Sequence, residues 1–201
     1  PFLDSLGLPS LEGYLFPDTY AFNKGMSADE MIARMVERFR KVFAEFEFEV
    51  EKSGISMRKI VTLASIIEKE TGEPSERPLI SSVFHNRLKK GIKLQSDPTV
   101  IYGIPSFDGN IKKKHLSMKS PYNTYAIFGL PPGPIASPGR DAIAAALRPT
   151  KTDYLYFVSK NDGTHQFSRS LKEHNLAVNR FQREMKISKK VDSGAASPIA
   201  Q

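Results

Sequence analysis

Hydrophobic residues recur at helical spacing in several stretches and alternate with polar ones in a few others, and the two periods divide the chain. Met31, Met35, Phe39, Val42 and Phe46 follow the capping box Ser27-Ala28-Asp29-Glu30 and predict one helix running to Lys52, with Gly54 as its stop. A second helix is expected from about Ser56 to Thr71. Its apolar arc runs from Ile66 through Leu63, Ile67, Ile60 and Ala64 to Val61, and Arg58, Thr62, Ser65 and Lys69 share the other side. A third has Pro78 in its first turn, Ile80, Val83, Phe84 and Leu88 on one face, and Gly91 at its end. The short turn between the second and third predicts an antiparallel helix pair. Ser137-Pro138 supplies an N-cap and first-turn Pro for a short helix through Ala142–Leu147, stopped by Pro149, and Leu171, Val178, Phe181 and Met185 outline a final one.

Alternation marks Leu11–Tyr20 as an extended, partly buried segment or edge strand interrupted by Pro17, and Ile92–Gln95 as a strand before a turn at Ser96-Asp97-Pro98-Thr99. Val100-Ile101-Tyr102 is extended or opens a short helix. Tyr154–Ser159 and His165–Ser168 read as a hairpin turning at Asp162-Gly163. Gly103–Ser120 is a polar loop. Ser120–Tyr125 and the Pro-rich run Gly129–Ile135 form stiff irregular walls that suit either binding or a structural crossover. Helices followed by strands and loops give an α+β class: a helical layer with a helix pair, a small hairpin and long Pro-rich loops. Residues 1–187 are expected to form one domain, with 1–10 a residual linker and 188–201 a disordered tail.

Composition narrows the function classes. With 201 residues the chain can bury one good core, and its 40% hydrophobic and 25% charged residues are ordinary for a globular protein. The net charge of +7 favours an anionic partner, but the longest basic run is Lys112-Lys113-Lys114 and no aromatic RNA-binding pattern accompanies it, so nucleic acid is not expected. There is no Cys, which removes disulfides and thiol catalysis, and the four His are scattered without metal-ligand spacing. No apolar run approaches the length of a bilayer crossing, and nothing resembles a signal peptide. The chain begins at Pro1, and is read as a fragment whose targeting segment has been removed.

One residue stands against the helical pattern. Glu68 falls inside the apolar arc beside Ala64 and Val61, where a carboxyl loses hydration and its pKa moves upward, which is how a general acid is made. Snorkelling to water or pairing with a Lys is the ordinary alternative. Glu70 lies at the other edge of the arc, and the wheel does not choose between them.

Six pieces in order coincide with one family. Leu11–Tyr20, Ala64-Ser65-Ile66-Ile67-Glu68-Lys69-Glu70-Thr71, Leu94–Val100, Tyr122-Asn123-Thr124-Tyr125, Gly129-Leu130-Pro131-Pro132-Gly133-Pro134-Ile135 and Glu173-His174-Asn175 together resemble the YceG-like endolytic murein transglycosylases, the MltG family. The resemblance implies that Glu68, as the first acid of the Glu-Lys-Glu-Thr segment, is the catalytic one. It also implies cleavage of the bond between N-acetylmuramic acid and N-acetylglucosamine in peptidoglycan strands, giving 1,6-anhydro ends without cofactor or metal. A lysozyme-like muramidase pairing Glu68 with Asp97, and a wall-binding module without turnover, are the competing readings. Gln95, Ser96, Thr99, Tyr122, Asn123 and Tyr125 are candidates to bind sugar groups, Asp97 is either a second acid or a turn cap, and Glu173, His174 and Asn175 are candidates to join the site from the last helix. The family further implies cell-wall synthases as partners, and a single-pass membrane anchor, outside this fragment, that holds the domain on the outer face of the bacterial cytoplasmic membrane.

Overall fold

The computed structural model describes residues 10–184. Eight α-helices and one two-stranded antiparallel sheet are found among them: α1 Ala28–Ala44, α2 Glu47–Ser53, α3 Met57–Glu70, α4 Arg77–Lys89, α5 Asp97–Tyr102, α6 Lys113–Leu116, α7 Arg140–Leu147, β1 Tyr156–Ser159, β2 His165–Ser168 and α8 Leu171–Val178. A single 3₁₀ turn, Pro74–Glu76, precedes α4, and a π turn, Asn179–Glu184, follows α8. This is the α+β class that the periodicity predicts.

Helix α3 is the axis of the molecule. Every residue from Ile60 to Ile67 is buried, including Thr62 and Ser65 on the side expected to be polar. Their hydroxyls are satisfied within the helix: Thr62 Oγ1 donates to the Arg58 carbonyl at 2.7 Å, and Ser65 Oγ donates to that of Thr62 at 2.7 Å while accepting the Ile135 N–H at 3.0 Å. The last of these seats the Pro-rich segment on α3 and turns an amphipathic helix into a central one. On another side α3 packs chiefly on α7, whose buried Ala142, Ala145 and Ala146 permit close approach, and it touches α4 less extensively than the expected helix pair would. Each fully buried Ile, Leu or Phe of this core contributes on the order of 2 kcal/mol.

Gly13 is obligatory where the N-terminal segment crosses α3. Its φ is +88°, and a Cβ there would lie 2.5 Å from Pro134 Cγ and 3.0 Å from Val61. This crossing buries Tyr14 and Phe16, but Leu11–Tyr20 forms turns and no strand.

Several expectations change. The capping box of α1 is present, with Ser27 N–H donating to Glu30 Oε2 at 2.8 Å, but the helix ends at Ala44 and α2 starts separately at Glu47. The break falls at Phe46, fully buried and flanked by the guanidinium groups of Arg140 and Arg148, each 5.5 Å from its ring. The same arginines pair with Glu45 and Glu49, so tertiary contacts from the two ends of α7 override local helix propensity. Ile92–Gln95 has no strand partner among the described residues; Gln95 N–H reaches the Thr124 carbonyl at 3.2 Å, and Arg87 holds the Lys93 and Leu94 carbonyls from α4. Ser96–Thr99 opens α5 rather than a free turn, and α7 starts at Arg140, with Gly139 rather than Ser137 at its N-cap. The hairpin registers Tyr156 on Ser168 and Ser159 on His165. Leu171 was expected on the buried face of the last helix and is exposed; Ala177 is its buried residue. Met185 and the expected tail lie outside the described residues.

Candidate active site

Glu70 is the last residue of α3, and the chain turns extended at Thr71 immediately after it. Its carboxyl faces a cleft of about 360 Å³ walled by Arg87 of α4, Leu94-Gln95 and Asp97 before and within α5, Tyr125, Tyr156-Phe157 of β1, and Leu171 and His174 of α8. Ser96 Oγ donates to Glu70 Oε1 at 2.5 Å. Ser96 stands at the N-cap of α5 but spends its hydroxyl on Glu70 and not on a helix N–H. It is fixed there from behind: Thr124 Oγ1 accepts its N–H at 2.9 Å, and its carbonyl accepts from Thr99 Oγ1 at 2.6 Å.

Burial pushes the Glu70 carboxyl up to about 7, and nearby Asp97 acts in the same direction, against the Ser96 hydrogen bond and the Arg87 guanidinium. Near neutral pH both protonation states are populated, which suits one group to give a proton and later take one. Arg87 is buried and spreads its donors over the carbonyls of Leu155 at 2.6 Å, Leu94 at 2.8 Å and Lys93 at 3.2 Å, with Gln95 Oε1 at 3.3 Å. Burial lowers its pKa, but a guanidinium stays charged. Its plane lies 5.1 Å from the Tyr156 ring, and His174 stacks on that ring at 5.1 Å. Burial, then Arg87, lowers the His174 pKa, so its imidazole is neutral at pH 7, and its Nδ1 is buried without a partner. Tyr125 Oη donates to Asp97 Oδ1 at 2.7 Å; burial and that carboxylate raise the phenol. Gln95 adopts φ +51°, a left-handed conformation costly for a side chain of its size and of the kind that accumulates at functional sites.

The structure thus gathers Gln95, Ser96, Asp97, Tyr125 and His174 of the sequence-derived set around one carboxyl, and that carboxyl belongs to Glu70. Glu68 lies elsewhere. Its Oε1 accepts from Arg77 at 3.2 Å and its Oε2 accepts the Gly139 N–H at 3.1 Å, so the oily seat expected from the wheel is a polar one that ties α3 to the starts of α4 and α7. Thr99 is fully buried and buttresses Ser96 from beneath. Asn123, also fully buried, gives its amide to the carbonyls of Leu116 and Met118 and accepts the Tyr125 N–H at 2.9 Å, which shapes the Tyr125 turn and leaves nothing for a ligand. Tyr122 packs on Tyr102 at 4.7 Å and does not line the cleft. Glu173 caps its own helix, accepting the Arg169 N–H at 2.8 Å, and Asn175 is exposed outside the cleft wall. Arg87 and Tyr156 went unnoticed in the sequence. Arg87 had a signal: a cation at helical spacing from Val83 and Phe84, inside the stripe that α4 buries. Among the described residues no group of three His, Cys, Asp or Glu is placed to hold a metal ion.

The family model described as YceG-like matches residues 3–180. The chain belongs to the YceG-like family. A Bacillus subtilis relative named endolytic murein transglycosylase is 45% identical over 172 residues, covering 85% of this chain and 48% of the relative. One of the same name from Streptococcus pneumoniae is 33% identical over 184 residues, covering 89% and 33%. The crystal structure of a YceG-like protein from Listeria monocytogenes superposes with a TM-score of 0.76 at 45% identity, covering 82% of this chain and 54% of that one. The chain therefore spans about half the length, or less, of the relatives it matches. As a YceG-like domain it carries the helices and hairpin that enclose the Glu70 cleft.

Proposed function

We propose that this YceG-like domain is the catalytic part of a lytic transglycosylase that cuts peptidoglycan glycan strands internally, with Glu70 as its acid and base. The observation that carries the reading is the Glu70 carboxyl, held near neutrality by burial, in a cleft lined by hydrogen-bonding and aromatic side chains. The relatives' common name supplies the substrate class.

The chemistry follows from one carboxyl acting twice. Protonated Glu70 gives its proton to the bridging oxygen as the bond from C1 of N-acetylmuramic acid breaks and positive charge develops on that sugar. The C6 hydroxyl of the same sugar then attacks C1, forming the 1,6-anhydro ring, and its proton returns to Glu70. No water is consumed, and the intramolecular nucleophile replaces the water that a second carboxylate would activate. Ser96 and Arg87 stabilise the transient anion of Glu70, while neutral His174, Gln95 and Asp97 offer hydrogen bonds to acetamido and hydroxyl groups. Asp97 is occupied by Tyr125 Oη and is a binding group in this scheme.

Within a full-length protein the domain would act on nascent strands near wall synthases, outside the cytoplasmic membrane, on an anchor contributed by another part of the chain. No helix among the described residues is long and apolar enough to cross a membrane. Mass spectrometry of digested sacculi tests the reading. Products ending in anhydro sugars, lighter by one water than reducing ends, together with loss of release in Glu70→Gln and its retention in Glu68→Gln, are expected. Reducing ends would make the enzyme a hydrolytic muramidase, and absence of any release would leave a wall-binding module.

A further inference from the structure

A second concavity, about 820 Å³, runs between the N-terminal half of α3, the end of α4 and the Pro-rich segment. Its floor is apolar, from Ile60, Leu63 and Leu88, Phe128 forms an exposed edge, and Arg58, Lys59 and Lys89 stand on its rim. No Asp or Glu lines it. Arg58 donates to the Pro132 carbonyl at 2.7 Å, fixing that wall, while Lys59 and Lys89 reach from α3 and α4 into solvent. Phe128 is 71% exposed, and the Lys93 ammonium covers its ring at 5.0 Å. An occupant that satisfies both features carries carboxylates and small apolar side chains.

The groove is joined to the cleft. Lys93, which covers Phe128, also donates to the Tyr125 carbonyl at 3.1 Å, and the Tyr125 ring lines the cleft. On α4, Arg87 faces the cleft and the next two residues face the groove. Along α3, Leu63 and Glu70 are separated by seven residues, about 10 Å of helix. An extended tetrapeptide spans about 13 Å.

We propose that this groove seats the acidic peptide stem borne by the N-acetylmuramic acid whose bond lies at Glu70, with Lys59 and Lys89 pairing its carboxylates and Phe128 and Leu88 taking its aliphatic side chains. The proposal rests on the glycan-cleaving reading of the cleft. A peptide is favoured over an anionic membrane because the floor is recessed between two helices and rigid prolines. A bilayer surface is met by a protruding apolar face.

The test compares glycan strands that carry stem peptides with strands stripped of them by an amidase, using the wild-type chain and the Lys59→Glu/Lys89→Glu double variant, which alters two exposed side chains. The expected result is an about tenfold rise in KM for peptide-bearing strands with kcat unchanged, and no change on stripped strands. Equal effects on both substrates, or none, overturn the proposal. Loss of capture by phosphatidylglycerol vesicles with unchanged KM would assign the groove to lipid, and altered self-association with unchanged KM would assign it to a second copy; both overturn it. If the wild type cleaves neither strand, the cleft reading fails, and the groove is judged by titrating a free stem tetrapeptide while following amide shifts. Shifts at Lys59, Lys89 and Phe128 that vanish in the variant uphold peptide binding, and their absence refutes it.

Discussion

Replacing Glu70 with Gln measures the seat that holds the acid, apart from any activity. The carboxyl ionises at about 7 in the folded chain against an ordinary 4.5, because burial penalises the anion. Between those values the folded state binds more protons than the unfolded state, so this group makes stability fall as pH rises through the window. At 1.36 kcal/mol per tenfold change in proton affinity, complete ionisation inside the fold costs about 3 kcal/mol. Gln has the same shape and no charge to desolvate, and escapes that cost. His174 acts oppositely, since its lowered pKa leaves the folded state with fewer bound protons than the unfolded state near 6.5. The wild-type profile alone therefore mixes both groups, and the difference between the two proteins isolates Glu70. Urea unfolding from about pH 5 to about pH 8 should show the variant gaining about 3 kcal/mol on the wild type as pH rises. The same substitution should lower kcat on sacculi by about 100-fold or more, and wild-type kcat/KM should decline above about pH 7 as the proton is lost. A flat difference curve would show that burial does not hold the Glu70 proton, and wild-type turnover in Glu70→Gln would show that this carboxyl is not the acid.

Substitutions at three other positions separate support from chemistry. Glu68→Gln loses a partly exposed ion pair and weakens the bond to Gly139, so it should cost about 1 kcal/mol in urea while keeping turnover within about threefold. Arg87→Met leaves the carbonyls of Leu155, Lys93 and Leu94 without this donor, and should destabilise by about 3 kcal/mol, with Arg87→Lys restoring only part because one ammonium cannot reproduce the planar fork. Ser96→Ala removes a bond that favours the Glu70 anion, so the basic limb of the pH–rate profile should move to higher pH and the plateau should drop; an unmoved limb would show that the hydroxyl does not tune the acid.

What the sequence disclosed was governed by range. The capping box of α1, the extents of α3 and α4 and the Asp162-Gly163 hairpin are set by residues a few positions apart, and all four were legible. The break at Phe46 was not, because its cause is a pair of arginines about a hundred positions away. Ile92–Gln95 alternates like a strand, but no strand among the described residues lies beside it to pair. Asn123 and Glu173 carry the chemistry of ligand binding in a one-dimensional reading. In the fold Asn123 serves turn carbonyls and Glu173 caps a helix, an ordinary fate for such residues in loops and first turns. Glu68 and Glu70 sit about 160° apart on the wheel, toward opposite ends of one arc. Glu70 differs from Glu68 in its bond to Ser96, which lies 26 residues away and reaches it only after α5 folds back against Thr124.

In the proposed mechanism that geometry accounts for an acid at the end of α3 and not within it. A carboxyl inside Ile60–Ile67 would be buried by α7 and the Pro-rich wall, out of reach of any strand. One turn past the end it would be hydrated and ionised. At the last helical residue it is half enclosed, and the unpaired carbonyls of the helix C-terminus add a partial negative charge that opposes the anion in the same sense as burial and Asp97. Ser96 and Arg87 pull back, and the balance falls near neutrality. A pH midpoint produced by opposing contributions moves when any one of them is removed. Turnover in this scheme needs the proton to leave and return within one cycle, so a shift in either direction slows one of its halves, and the walls of the cleft are as much a part of the acid as its own carboxyl.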